Sequence, residues 1–97
     1  MERVIYLNNL YDLYGDLLTD KQKKYFEDYY FNNLSYGEIS EKYNISRNAS
    51  FKQLKIIEEK LEKFEEILKL LYKKNKINDI ITKVDDNIIK EELENLF

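Results

Sequence analysis

The chain has no cysteine, histidine, proline or tryptophan, and only two glycines in 97 residues. Without cysteine or histidine it can form no disulfide, no zinc site built on those ligands, no thiol nucleophile and no Ser-His or Cys-His catalytic pair. With no proline, and glycine only at Gly15 and Gly37, it offers few turns for a β-rich fold and no glycine-rich phosphate loop. No apolar run approaches the ~20 residues of a membrane span, so no membrane partner is expected. The start, Met1 to Asn9, lacks the basic stretch, apolar stretch and small residues of a signal peptide, and the expected location is the cytoplasm. A net charge of −3 is not that of a nucleic-acid coat, so any nucleic-acid surface has to be local.

What remains is 43% hydrophobic and 36% charged, the balance of a soluble globular chain. A chain of this length buries roughly 65% of its unfolded surface, enough for one modest core. Nothing alternates with period two, and the expected fold class is all-α. Leu7, Leu10, Tyr11, Tyr14, Leu17 and Leu18 follow helical spacing. Ile5, Tyr6 and Leu13 widen that stripe, which predicts a largely buried first helix. Thr19 with Gln22, and Ser35 with Glu38, have the spacing of capping boxes and mark two further helix starts. Tyr25, Phe26, Tyr29 and Tyr30 are the apolar face of the earlier one, with Asn32 and Asn33 at its end. Ser46 suits the cap of a long helix running from Arg47 to about Tyr72.

Within that helix Leu54, Ile57, Leu61, Phe64, Leu68 and Leu71 alternate at spacings of three and four, a heptad seam and candidate dimer interface. Glu59 with Lys63 and Glu65 with Lys69 have i,i+4 ion-pair spacing. Lys73 to Lys76 read as a connection. Ile77, Ile80, Ile81, Val84 and Ile88 form a last amphipathic helix, ended at Asp85-Asp86-Asn87 and followed by Leu93, Leu96 and Phe97 on a short piece. The expected organisation is a helix-turn-helix domain over 1–73, its long helix serving recognition and dimerisation, and a helical extension over 74–97.

The functional signal lies in SYGEISEKYNISRNASFKQL, residues 35–54. Ile39 and Tyr43 face inward from a short helix, Asn44 tolerates the left-handed turn, Ile45 plugs it and Ser46 caps the next helix. Small residues, Ser40 and Ala49, let the two helices approach. In such units the second helix enters the DNA major groove by its N-terminal end. From Ser46 to Ile57 there are three cations, Arg47, Lys52 and Lys55, and no anion; with a net charge of −3, the rest of the chain carries −6. Arg47 is a candidate for guanine or phosphate, Asn48 for adenine, Ser46 for phosphate and Gln53 for a further contact. Of the aromatic residues, Tyr36 and Phe51 are the candidates for stacking on bases; the others sit at core spacing. Glu58, Glu59, Glu62, Glu65 and Glu66 alternate with lysines as on a solvated face, and Asp85-Asp86-Asn87 lacks the spacing of a calcium loop. No catalytic residue, metal ligand or cofactor is expected.

LLTDKQ, then YYFNNLSYGEIS, then EKYNISRNA make the stretch from about residue 7 to 70 resemble the YlxM family, small helical bacterial proteins whose genes lie beside those of the signal recognition particle GTPases. The resemblance implies a fold like sigma-factor region four with a long C-terminal helix, a homodimer, and a DNA-binding regulatory protein of the signal recognition particle pathway. The alternative it leaves is an interaction protein that binds and modulates the particle through its RNA or its GTPases. Ser46, Arg47, Asn48 and Ala49 match the start of the family's recognition helix. Ser50 stands where a branched apolar residue is usual, and Phe51 is expected to turn inward in compensation.

Overall fold

Local capping chemistry sets the helix starts. In the computed structural model, which describes residues 2–97, α1 spans Glu2–Tyr14 and runs into a 3-10 turn at Gly15–Leu17. A Cβ on Gly15 would sit 3.2 Å from the Tyr11 ring, so glycine keeps that turn close against α1. Next, α2 (Asp20–Tyr30) begins at a capping box. The Thr19 hydroxyl accepts from the Gln22 N–H at 3.1 Å, and the Gln22 side-chain oxygen accepts from the Thr19 N–H at 3.0 Å. The same reciprocal pair joins Ser35 and Glu38 ahead of α3 (Tyr36–Tyr43). Asn44 then takes the left-handed conformation, with φ 55° and ψ 49°. The Ser46 hydroxyl accepts from the Ala49 N–H at 3.0 Å and opens α4 (Arg47–Leu68). Two helices follow, α5 (Leu70–Ile81) and α6 (Asn87–Glu94); Asp86 caps the second through the N–H groups of Ile88 and Ile89. The described residues form no strand, so the fold is all-α.

The core lies where α1, α2 and α3 pack around the first half of α4. Leu7, Leu10 and Tyr14 from α1, Leu18, Tyr25 and Phe26, Ile39, and Leu54, Ile57 and Leu61 from α4 are buried together. The first helix is less covered than its stripe predicts. Ile5, Tyr6 and Leu17 are exposed, because a helix lying against α4 on one side shields only part of so wide an apolar face. A ladder of rings crosses the bundle. Tyr11 stacks on Phe26 at 4.4 Å, Phe26 meets Tyr30, Tyr30 meets Tyr29, and Tyr29 stacks on Tyr36 at 4.8 Å.

The heptad seam is filled mostly from within the chain. Leu54, Ile57 and Leu61 have no exposed surface, Phe64 and Leu71 pack on the core, and Leu68 is exposed. This corrects the seam as a dimer interface at its first three positions, where α1 and α2 already occupy the place of a second subunit.

The long helix also stops short of Tyr72. Lys69 turns left-handed at φ 55°, and α5 runs through the expected connection at Lys73 to Lys76 and through the 73/74 boundary. Tyr14 from α1 and Glu65 from the last turn of α4 hold this joint. The Tyr14 hydroxyl donates to Glu65 Oε1 at 2.6 Å and accepts from the Leu70 N–H at 2.9 Å. The Glu65 carboxylate accepts from the N–H groups of Leu71 (3.0 Å) and Tyr72 (3.1 Å). The first amides of a helix have no partner inside it, and here all three find one.

Neither α5 nor α6 contains a buried residue. Ile77, Ile80 and Ile81 lie on α5, Val84 in the link and Ile88 on α6, so the expected last helix is two. The molecule is elongated, 55 × 25 × 23 Å with a radius of gyration of 16.9 Å, against about 13 Å for a compact chain of this length.

Candidate nucleic-acid interface

The Ser46 cap sets the phase of α4. Ser50, Leu54, Ile57 and Leu61 face the core, so Arg47, Asn48, Phe51, Lys52, Lys55 and Ile56 share the opposite, exposed face. Ser50 is fully buried and donates its hydroxyl to the Ser46 carbonyl at 3.3 Å. That corrects the expectation for Phe51. A serine fills the inward position, and Phe51 stays outward with 45% of its surface exposed. Its ring stands at 89° to that of Tyr36, with centroids 5.4 Å apart. Tyr36, Arg47, Asn48 and Phe51 line an open concavity of about 430 Å³.

Of the expected contact residues, the structure brings Ser46, Arg47, Asn48, Lys52 and Lys55 onto one surface. Gln53 does not join them. It is half-buried on the other side of α4, beside Thr19, Lys21, Gln22 and Tyr25. Sequence reasoning missed Ile56, which is 49% exposed on the basic face; its spacing of eight and four from Asn48 and Lys52 is the signal that places it there.

Arg47, Lys52 and Lys55 form no salt bridge among the described residues. Further along α4, of the five acids expected on a solvated face, Glu59 and Glu66 are exposed, whereas Glu58, Glu62 and Glu65 are directed at neighbouring helices. Glu58 accepts from the Tyr30 hydroxyl at 2.7 Å and meets Arg3 at 3.4 Å, Glu62 meets Arg3 at 2.8 Å, and Glu65 holds the α5 joint. The expected Glu59–Lys63 and Glu65–Lys69 pairs are replaced by Lys63–Glu66 at 3.8 Å. Glu58, Glu62 and Glu65 are thus engaged in packing, while Glu59, four positions from Lys55, stays exposed and forms no salt bridge with it.

The partnerships shift the titrating groups. Burial, then the Glu58 carboxylate, pushes the Tyr30 hydroxyl far above its usual range. Burial and the hydrogen bond to Tyr29 push Tyr36 up to about 12, so the ring beside the basic face stays neutral. Asp28 is the buried acid of the core. Burial alone would raise it, but hydrogen bonds from Tyr43, Lys42 and Asn32 outweigh that and hold it below the usual carboxylate range. This cluster braces α2 against α3 and thereby the turn that presents α4.

Among the described residues no three His, Cys, Asp or Glu side chains are grouped to hold a metal ion, and no helix is long and apolar enough to cross a membrane. The arrangement can offer unpaired cations, an amide and an apolar ring on the exposed face at the N-terminal end of α4.

Comparison with known proteins agrees with this architecture. Residues 1–96 match the model of the UPF0122 family, whose description is "Putative helix-turn-helix protein, YlxM / p13 like". A UPF0122 protein of Halalkalibacterium halodurans is 37% identical over 91 residues, covering 94% of this chain and 84% of the relative. One from Malacoplasma penetrans is 43% identical over 84 residues, covering 87% and 78%, and one from Bacillus cereus is 39% identical over 92 residues, covering 95% and 84%. By the helix-turn-helix geometry and these matches, the chain belongs to the UPF0122 family of YlxM/p13-like helix-turn-helix proteins.

Proposed function

We propose that the protein is a regulatory protein that binds double-stranded DNA through the N-terminal half of α4. The observation that carries this is the exposed face Arg47, Asn48, Lys52 and Lys55, which holds three cations with no protein carboxylate paired to them. Cations in that state attract phosphate, and a helix presented by its N-terminus fits the B-form major groove of about 12 Å. The A-form major groove of RNA is too narrow for a helix, which favours DNA. Arg47 and Asn48 reach base edges, Lys52 and Lys55 hold phosphates, and Ser46 both caps the helix and donates to phosphate.

One such unit makes about three to five phosphate contacts, which gives weak binding on its own. A homodimer doubles that number and spans two half-sites. The apolar surface available to it runs from the end of α4 to the C-terminal end of the described residues: Ile67, Tyr72, Ile80, Ile88 and Phe97 are all exposed. This surface also favours a second reading, in which the protein docks on the signal recognition particle and modulates it.

Fluorescence anisotropy across a salt series separates the readings, with a random duplex, the duplex upstream of the protein's own operon and the particle RNA as probes. Duplex binding with a steep salt slope, weakened in the Arg47→Ala/Lys52→Ala protein with the slope reduced by about one per subunit for the lost Lys52 phosphate contact, supports DNA binding. Equal affinity of wild type and double mutant for every probe refutes it. Preference for the particle RNA, or a changed GTPase rate of the particle on addition, favours the second reading.

A further inference from the structure

We propose that Phe51 reads a thymine methyl group in the major groove, in the corner it forms with Tyr36, Arg47 and Asn48. This rests on the reading of α4 as a DNA-contacting helix. An apolar ring 45% exposed amid three unpaired cations gains nothing from water and sits at the position of α4 that faces a docked base pair. Counted from the Ser46 cap, Arg47, Asn48 and Phe51 are first, second and fifth in the helix, one face at helical spacing. The thymine 5-methyl is the one apolar group on the major-groove edges of the four bases, and phenylalanine is among the side chains that contact it.

The geometry favours an edge over a stacked base. The Phe51 and Tyr36 rings are perpendicular, at 89°, and form a corner instead of two parallel walls that could clasp a flat unpaired base. Tyr36 has one face committed to Tyr29, stacked at 4.8 Å and 7°. Through Tyr29 and Tyr30 the ladder reaches buried Phe26, so the corner rests on the core and needs little ordering on binding. Arg47 and Asn48 on the rim supply the donors for guanine and adenine, leaving the apolar pocket between them and Tyr36 for the methyl.

The test starts from a random duplex library, enriched on the wild-type protein at about 100 mM salt. Each thymine of the enriched duplex is then replaced singly by deoxyuridine, which removes only the methyl. The expected result is one thymine per half-site whose replacement weakens binding about fourfold, the value of one buried methyl group. In Phe51→Ala protein the thymine and deoxyuridine duplexes should bind equally while the salt slope is retained; Phe51→Leu should keep part of the difference. Circular dichroism verifies that both variants are folded, and the wild-type comparison of thymine with deoxyuridine needs no variant at all. Salt-dependent duplex binding indifferent to every replacement overturns the methyl contact and leaves DNA binding standing. Tighter binding to single-stranded DNA, lost in Phe51→Ala, overturns it in favour of base stacking. No binding to any duplex overturns both proposals.

Discussion

Asp28 shows how one buried carboxylate organises its neighbours. Its oxygens take Lys42 Nζ at 3.0 and 3.1 Å, Asn32 at 3.2 Å and the Tyr43 hydroxyl. Charged hydrogen bonds of this kind are worth more than neutral ones. Asp28→Ala should therefore cost about 2 kcal/mol, read as a fall in Tm of roughly 10 °C. Because Asp28 titrates below its unfolded value, its contribution is present above the unfolded pKa of about 4 and lost as pH falls through the folded one. Acid denaturation of wild type, but not of Asp28→Asn, should show that component. The tyrosines give the opposite limit. Tyr11 is pushed up to about 12 by burial and by Glu27, and Tyr36 to about 12. The folded state keeps protons that the unfolded chain loses near pH 10, so stability should hold to about pH 10 and fall above it, measured by denaturant midpoint against pH. Asp28 was not legible in the sequence as a core residue. Its partners Lys42 and Tyr43 are fourteen and fifteen positions away, and an acid in a polar-looking stretch carries no local mark of burial.

Helices divide into those begun by their own residues and one begun by others. Thr19, Ser35, Ser46 and Asp86 each cap the helix that follows them, and the first three were readable from residue type and spacing. Ser46→Ala should cost about 1 kcal/mol and loosen the N-terminus of α4. The start of α5 has no such side chain; Lys69 makes no cap bond. Tyr14 and Glu65 supply it, so Tyr14→Phe should leave α1 packed but speed hydrogen exchange at Leu70, Leu71 and Tyr72, measured by mass spectrometry or NMR. A left-handed lysine costs roughly 1–2 kcal/mol, and the four hydrogen bonds at the joint offset it. This also explains why the long helix is overread from sequence: the apolar period continues through Leu68 and Leu71 while the axis breaks between them.

The whole molecule is a four-helix head, with the start of α5 packed against α1 and α6 packed against α5. Leu61→Glu would bury a charge in the centre of the head, at a cost comparable to total stability, and should unfold the monomer. Ile88, 70% exposed on α6, should tolerate the same change. If the α6 end dimerises, Ile88→Glu with Phe97→Glu gives a folded monomer in analytical ultracentrifugation. Across the molecule charge is segregated along a single helix, with unpaired cations and no acid at the N-terminal half of α4 and all five of its acids, three of them packed, in its C-terminal half. That segregation, more than net charge, makes the face attractive to an anion in a chain of −3.

The amino-acid sequence alone determined the all-helical class, the caps, the left-handed turn at Asn44 and the helix-turn-helix with its exposed basic start, because each of these depends on residues within a few positions of one another. The tertiary structure decided which side of the heptad seam was already occupied, that Ser50 and not Phe51 turns inward, that Gln53 leaves the basic face and where α4 ends. Those outcomes depend on groups brought together from far along the chain, such as Tyr14 with Glu65 and Leu70, 51 and 56 positions apart. Helical periodicity can name an apolar face, but only the packed helices decide what covers it.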